Sequence, residues 1–238
     1  TFDGVDIATR DGVLTSTTAT AAAALPKAGG TMTGAIVLGT NTVGGLQITT
    51  TATSNIGLGA NAVDSITTGD YNVGLGDSAG TAITTGTSNT AVGYQALSTE
   101  DTRGSSTAIG YRSLKVQNAS AEAYNVAVGV DAGLGLTTAT SSTLIGAFAG
   151  GGGVLTGADN TAIGRNAGYV LTSGTQNVFV GGLSGDATTT ASNNTAVGYN
   201  SLTANTTASY NTAVGAESLD SNTTGEHTTA LGYGALGA

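Results

Sequence analysis

One glycine recurs along this chain at a spacing that very few folds can accommodate. It stands at Gly59, Gly76, Gly93, Gly110, Gly129, Gly146, Gly164, Gly181, Gly198, Gly215 and Gly232. The successive gaps are 17, 17, 17, 19, 17, 18, 17, 17, 17 and 17 residues, so eight of the ten are identical and chance does not explain them. A fixed period of this length marks a stack of small units, each of which closes its apolar face only against its neighbours.

The surroundings of the glycine repeat too. The residue just before it is always aliphatic: Leu58, Leu75, Val92, Ile109, Val128, Ile145, Ile163, Val180, Val197, Val214 and Leu231. Three before it stands a β-branched residue in every copy, from Ile56 and Val73 to Thr229. Four before it is Asn in eight copies, with Ser106, Ser142 and Thr228 in the others. Three after it is Ala or Ser, as at Ala96 and Ser113, and the next residue is either aliphatic, as at Leu97, or Gly, as at Gly133.

Branched and aliphatic residues alternating about a small one predict a short strand with one buried face. The strand is read here with the residues one and three before the glycine turned inward, which makes Leu58 through Leu231 the repeat core. The Asn tolerates turn geometry and offers its amide to neighbouring backbone, or to its own copies as a ladder. An unvarying Gly implies a backbone angle, or a close approach, that a Cβ would obstruct. The rest of each unit is a polar return of Thr, Ser, Asn and Gly. Both changes of length fall in it, over Val116–Ala123 and Gly150–Gly157, where loops tolerate insertion.

The expected fold is therefore all-β: a repetitive parallel β-roll or β-solenoid of about eleven 17-residue coils over residues 54–238. At about 4.8 Å per coil the stack would be on the order of 50 Å long. Gly makes up 39 of 238 residues, aromatics are 5% and Trp is absent, so bulky side chains are too few for an ordinary core. Disorder is the other option for so polar a chain, but 39% of residues are hydrophobic and they recur at fixed intervals. A core of Val, Ile, Ala and Gly is thin, and the inference is that several chains share it in an oligomeric fibre.

The net charge of −9 argues against nucleic acid, whose phosphates need a basic stripe, and leaves no polybasic patch for anionic lipid. With no cysteine there is no disulfide, zinc-thiolate site or thiol nucleophile. No apolar run of about 18 residues is present, so membrane insertion is not expected, and no signal peptide is read.

Residues 1–53 follow a different pattern and read as a connector. Asp6 to Leu25, ending in Ala21–Ala24, suggests a short helical or coiled-coil stalk, stopped by Pro26, the only proline. Gly29-Gly30 marks a turn before a strand-like Ala35–Leu38, and Asn41–Gly44 reads as a degenerate copy out of frame. Leu25-Pro26-Lys27-Ala28-Gly29-Gly30-Thr31-Met32-Thr33-Gly34-Ala35-Ile36 resembles the Leu-Pro-x-x-Gly-Gly-Thr-Met-Thr-Gly segment of bacteriophage tail fibres. The Asn-Thr-Ala-Val-Gly-Tyr units at Asn89–Tyr94 and Asn194–Tyr199 resemble repeats of such fibres and, more loosely, the heads of trimeric autotransporter adhesins.

These resemblances imply a left-handed roll, a homotrimer, and a virion location outside the cell. They also imply attachment to other fibre or baseplate proteins, and contact with a glycan or protein on the host surface. A bacterial surface adhesin head is the alternative, although the 17-residue period is longer than that of those heads.

Reactive chemistry is hard to place. His227 is the only histidine, so neither a His triad nor a multi-His metal site forms within one chain. It matches Tyr71, Tyr124 and Tyr210 of other copies, as a repeat-surface residue would. The carboxylate pairs Asp3 with Asp6, and Glu100 with Asp101, are assigned to solvated loops. Gly150–Gly153 lacks the Lys-Ser/Thr of a phosphate loop. Asn118, Asn193, Asn205 and Asn222 match a glycosylation sequon in sequence where such matches arise freely. No catalytic, metal or cofactor residue is assigned, and the chain is read as non-enzymatic. Tyr94, Tyr111, Tyr199 and Tyr233 directly follow the repeat Gly and are candidate contacts for a sugar ring, weighed against ordinary strand-surface tyrosines. Thr-rich strands raise an ice-binding solenoid, set aside because the two residues after the Gly vary from copy to copy.

Overall fold

The computed structural model describes residues 54–119 and 121–237, together with the backbone pairing of 37–38, 41–42 and 46–47. The stalk expected over Asp6–Leu25, its stop at Pro26 and the Gly-Gly-Thr-Met-Thr-Gly segment lie outside the described residues. The chain divides into two compact units, Thr1–Gly44 and Gly45–Ala238. In the first, β1 (Val37–Leu38) pairs antiparallel with β2 (Asn41–Thr42). Asn41–Thr42 therefore does not pair as a coil of the array does.

The second unit is a β-solenoid of about ten turns. Eleven three-residue strands lie side by side in chain order: β4 (Ile56–Leu58), β5 (Val73–Leu75), β6 (Thr90–Val92), β7 (Thr107–Ile109), β8 (Val126–Val128) and β9 (Thr143–Ile145), then β10 (Thr161–Ile163), β11 (Val178–Val180), β12 (Thr195–Val197), β13 (Thr212–Val214) and β14 (Thr229–Leu231). Every neighbouring pair is parallel and in register, equivalent residue against equivalent residue, as in Thr195↔Thr212 and Val197↔Val214. On the other side of β4, β3 (Leu46–Gln47) adds one antiparallel strand. No helix occurs among the described residues.

The strand faces the opposite way from the sequence reading. Its middle residue is buried in every coil, while the two flanking residues are exposed or half-buried. Leu58 through Leu231 are thus not the core of the coil but its outer surface. Period-two alternation states which residues share a face, not which face is inside. The coil encloses so little space that the small central residue, usually Ala, is the one that fits.

The core is assembled from four inward positions. They are the strand centre, the Ala or Ser three after the glycine with the residue that follows it, and a residue seven after it such as Ile66, Ile83, Leu136 or Leu171. Bulk is traded between them. Where the strand centre is Leu144 or Phe179, the residue four after the coil's own glycine is Gly150 or Gly185. A Cβ on Gly150 would lie 3.0 Å from Leu144 Cδ2, and one on Gly185 2.5 Å from the Phe179 ring. Four coils with an Ala centre carry Leu97, Leu114, Leu202 or Leu219 at that place, all buried. Two others, centred on Ala127 and Ala162, carry Gly133 and Gly168, whose added Cβ would meet the next coil's Leu144 Cδ1 at 2.9 Å and Phe179 Cδ2 at 3.0 Å.

The turns are held as the strands are. Each coil has left-handed residues five before the glycine and two and four after it, for example Ser88 (φ 58), Gln95 (φ 54) and Leu97 (φ 49). Such angles are costly for aliphatic residues. Each of these three residues lies on the coil-to-coil hydrogen-bond ladder: the N–H of Ser88 donates to Asp70 O at 2.9 Å, that of Gln95 to Asp77 O at 3.0 Å and that of Leu97 to Ser113 O at 3.0 Å. The repeat glycine itself has φ between 121 and 142. In all copies but Gly232 an added Cβ would overlap the backbone of the next coil's glycine.

Candidate functional site

The outer face of the parallel sheet is the most extended feature of the solenoid. Eleven aliphatic residues, Leu58 to Leu231, stand in one column at strand spacing, half-buried for the most part. Exposure reaches 40% at Leu58, 38% at Ile109 and 78% at Leu231. Beside it runs the column from Ile56 to Thr229, which contributes only Ile, Val and Thr. Neither column holds a charged residue. At about 4.8 Å per strand the stripe is about 50 Å long. A continuous apolar strip of that length on a solvent face is characteristic of a surface that meets protein.

Beneath the strand start lies the buried asparagine ladder. The N–H of Asn72 donates to Asn55 Oδ1 at 2.7 Å, that of Asn177 to Asn160 Oδ1 at 3.1 Å and that of Asn194 to Asn177 Oδ1 at 3.0 Å. The amide Nδ2 of every ladder asparagine but Asn211 then donates to a carbonyl fourteen residues on, as Asn177 does to Ala191 O at 2.9 Å. Ser142 continues the ladder by accepting the Asn160 N–H, and Thr228 ends it by turning its hydroxyl to Glu226 O.

Glu100 does not sit on a solvated loop: it is fully buried, at the place where four other coils carry Ile66, Ile83, Leu136 or Leu171. Its carboxylate accepts the backbone N–H of Arg103 and of Ala119, each at 3.2 Å, and the Gln117 amide at 2.9 Å. Gln117 also donates to Ser106 Oγ at 3.0 Å and accepts from Asn125 Nδ2 at 2.9 Å. This network occupies the core where the 19-residue coil departs from the period. On the surface above, Arg112 grips Asp131 with two hydrogen bonds, at 2.8 and 2.7 Å. That bond, ahead of the desolvation that opposes it, raises the guanidinium pKa further.

The four candidate tyrosines stand in one column but do not form a platform. Tyr94 and Tyr111 stack on each other with centroids 5.6 Å apart, and the Arg112 guanidinium lies 4.9 Å from the Tyr111 centroid. The stack thereby covers one face of each ring. Tyr199 and Tyr233 are separated by the coil of Ala216; hydrogen bonding to Glu217, with that carboxylate's charge next, raises the Tyr233 pKa. His227 stacks on Tyr210 at 4.8 Å and 2°.

Among the described residues no three His, Cys, Asp or Glu converge as metal ligands, and no helix is long and apolar enough to cross a membrane. Comparison with known protein families, with curated proteins and with solved structures returns no match.

Proposed function

We propose that this chain is a structural segment of a bacteriophage tail fibre: a homotrimeric shaft and spacer that carries host attachment. The aliphatic column from Leu58 to Leu231 is the observation that carries the reading. It gives each chain a flat, uncharged, 50-Å-scale face along which identical chains can close around a common axis, as a homo-oligomer with rotational symmetry requires (about 4.8 Å per strand). The coil-to-coil hydrogen bonding supplies stiffness along the same direction. The resemblance of residues 25–36 to tail-fibre segments, and of the repeats to trimeric adhesin heads, supports the number three and the extracellular, virion location.

Partners in this reading are two further copies of the chain, neighbouring fibre or baseplate proteins, and a host surface glycan or protein. An antibody raised against the repeat array tests it by electron microscopy of infected cultures. Label on the thin appendages of phage particles is the expected result. Label confined to the surface of uninfected bacteria would instead favour the adhesin head.

A further inference from the structure

Three buried side-chain atoms among the described residues lack a hydrogen-bond partner: Thr188 Oγ1, Asn205 Oδ1 and Asn211 Nδ2. All three residues are fully buried. They are not scattered along the array. Thr188 and Asn205 stand seven residues after the repeat glycines Gly181 and Gly198, and Asn211 stands four before Gly215.

The same three places, five coils earlier, belong to Glu100, Gln117 and Asn125. There the side chains join directly. Gln117 Nε2 donates to Glu100 Oε2 at 2.9 Å, and Asn125 Nδ2 donates to Gln117 Oε1 at 2.9 Å.

The difference between the two clusters is reach. Stacked coils are about 4.8 Å apart, so equivalent side chains bond directly only where they lean together, as Ser184 Oγ and Ser201 Oγ do at 3.0 Å; Thr188 Oγ1 and Asn205 Oδ1 do not bond to each other. Glu100 and Gln117 cross that distance because each has a methylene beyond Cβ that the shorter Thr188 and Asn205 lack. A separation of that size suits a single bridging oxygen, with about 2.8 Å to either side.

We propose that one ordered water molecule binds between Thr188, Asn205 and Asn211, in place of the Gln117–Glu100 contact. It donates to Asn205 Oδ1, accepts from Asn211 Nδ2, and forms its third bond with Thr188 Oγ1. Three bonds are the usual complement of a buried water. The cluster offers one donor, one acceptor and a hydroxyl that is either, which is the set a water completes. Its stem-lengthened counterpart shows that the fold already seeks a connection at this place. The inference is independent of the fibre assignment, since it concerns the interior of a single chain.

Thr188→Val, which keeps the shape and removes the hydroxyl, decides the matter by the sign of its effect in denaturant unfolding of the full chain. With the water bound, the variant loses one bridging bond, and the folding equilibrium constant falls about tenfold. With a dry site, the variant removes an unsatisfied hydroxyl and the constant rises. An atomic-resolution map of the wild-type protein gives a second reading that needs no variant. A peak within hydrogen-bonding distance of all three atoms is expected. Continuous protein density with no peak there would overturn the proposal, as would a stabilised Thr188→Val.

Discussion

Substituting Gly129 by Ala separates two reasons for the repeat glycine, because the last coil provides an internal control. Gly129 has φ 139, where an L side chain is strained by about 1–3 kcal/mol. Its added Cβ would also lie 2.7 Å from both C and O of Gly146, whereas ordinary contact begins at 3.4 Å, so the coils must part by about 0.7 Å. That displacement stretches the bonds that close this corner, from Gly146 N–H to Val128 O at 2.8 Å and from Phe148 N–H to Val130 O at 2.9 Å. Two weakened hydrogen bonds add about 1–3 kcal/mol to the conformational strain.

Gly232 has a similar φ of 121 but nothing within 4 Å of its added Cβ, so Gly232→Ala carries the strain alone. Urea unfolding of both variants should therefore show Gly129→Ala less stable than Gly232→Ala by about 1–3 kcal/mol. Equal losses would refute the close-approach argument and leave only the backbone angle.

Three further outcomes follow from the interior and from one surface pair. Asn177→Ala strands the buried N–H of Asn194 and the carbonyl of Ala191, and should cost about 2–4 kcal/mol in the same assay; a loss below that of an exposed Asn193→Ala would contradict the ladder. Glu100→Gln turns one oxygen that accepts from buried donors into a donor itself, and should destabilise by about 1–3 kcal/mol, with a neutral result contradicting the network. Tyr233 should ionise above the usual phenol value of about 10, seen by ultraviolet titration, and Glu217→Gln should bring it down. The raised folded-state pKa favours the neutral phenol, so its contribution to stability is present below the unfolded pKa and is lost as pH rises through the folded one.

The parts of this fold that were legible in the sequence are those in which one residue type has one physical use. An invariant Gly after an aliphatic residue marked both a special angle and a close approach, and an Asn at one register position marked the ladder. Insertions at Val116–Ala123 and Gly150–Gly157 lie in the return segment, outside the three-residue strands of the sheet.

What was misread had a shared cause. Ala91 or Ala196 between two branched residues looks like a spacer in an open strand, yet in a coil this narrow it is the buried residue. The turn conformations were hidden as well: Leu97 and Val63 are poor left-handed residues by any local preference, and the ladder from one coil to the next overrides that preference. The inward place seven after the glycine escaped notice because it holds Ile66, Glu100, Gln117, Leu136 and Thr188 alike. Glu100 reads as a loop residue for the same reason: composition alone does not reveal that its carboxylate has three donors waiting.

That inversion of the strand turns the aliphatic column outward and makes partner chains central to the account. Sedimentation equilibrium of the full chain at micromolar concentration tests this most directly. The account predicts a single species of three 22.8 kDa chains, which dissociates or aggregates when Ile145 and Val180 in the column are both replaced by Lys. A folded, monodisperse 22.8 kDa monomer, with the column left open to water, would contradict it.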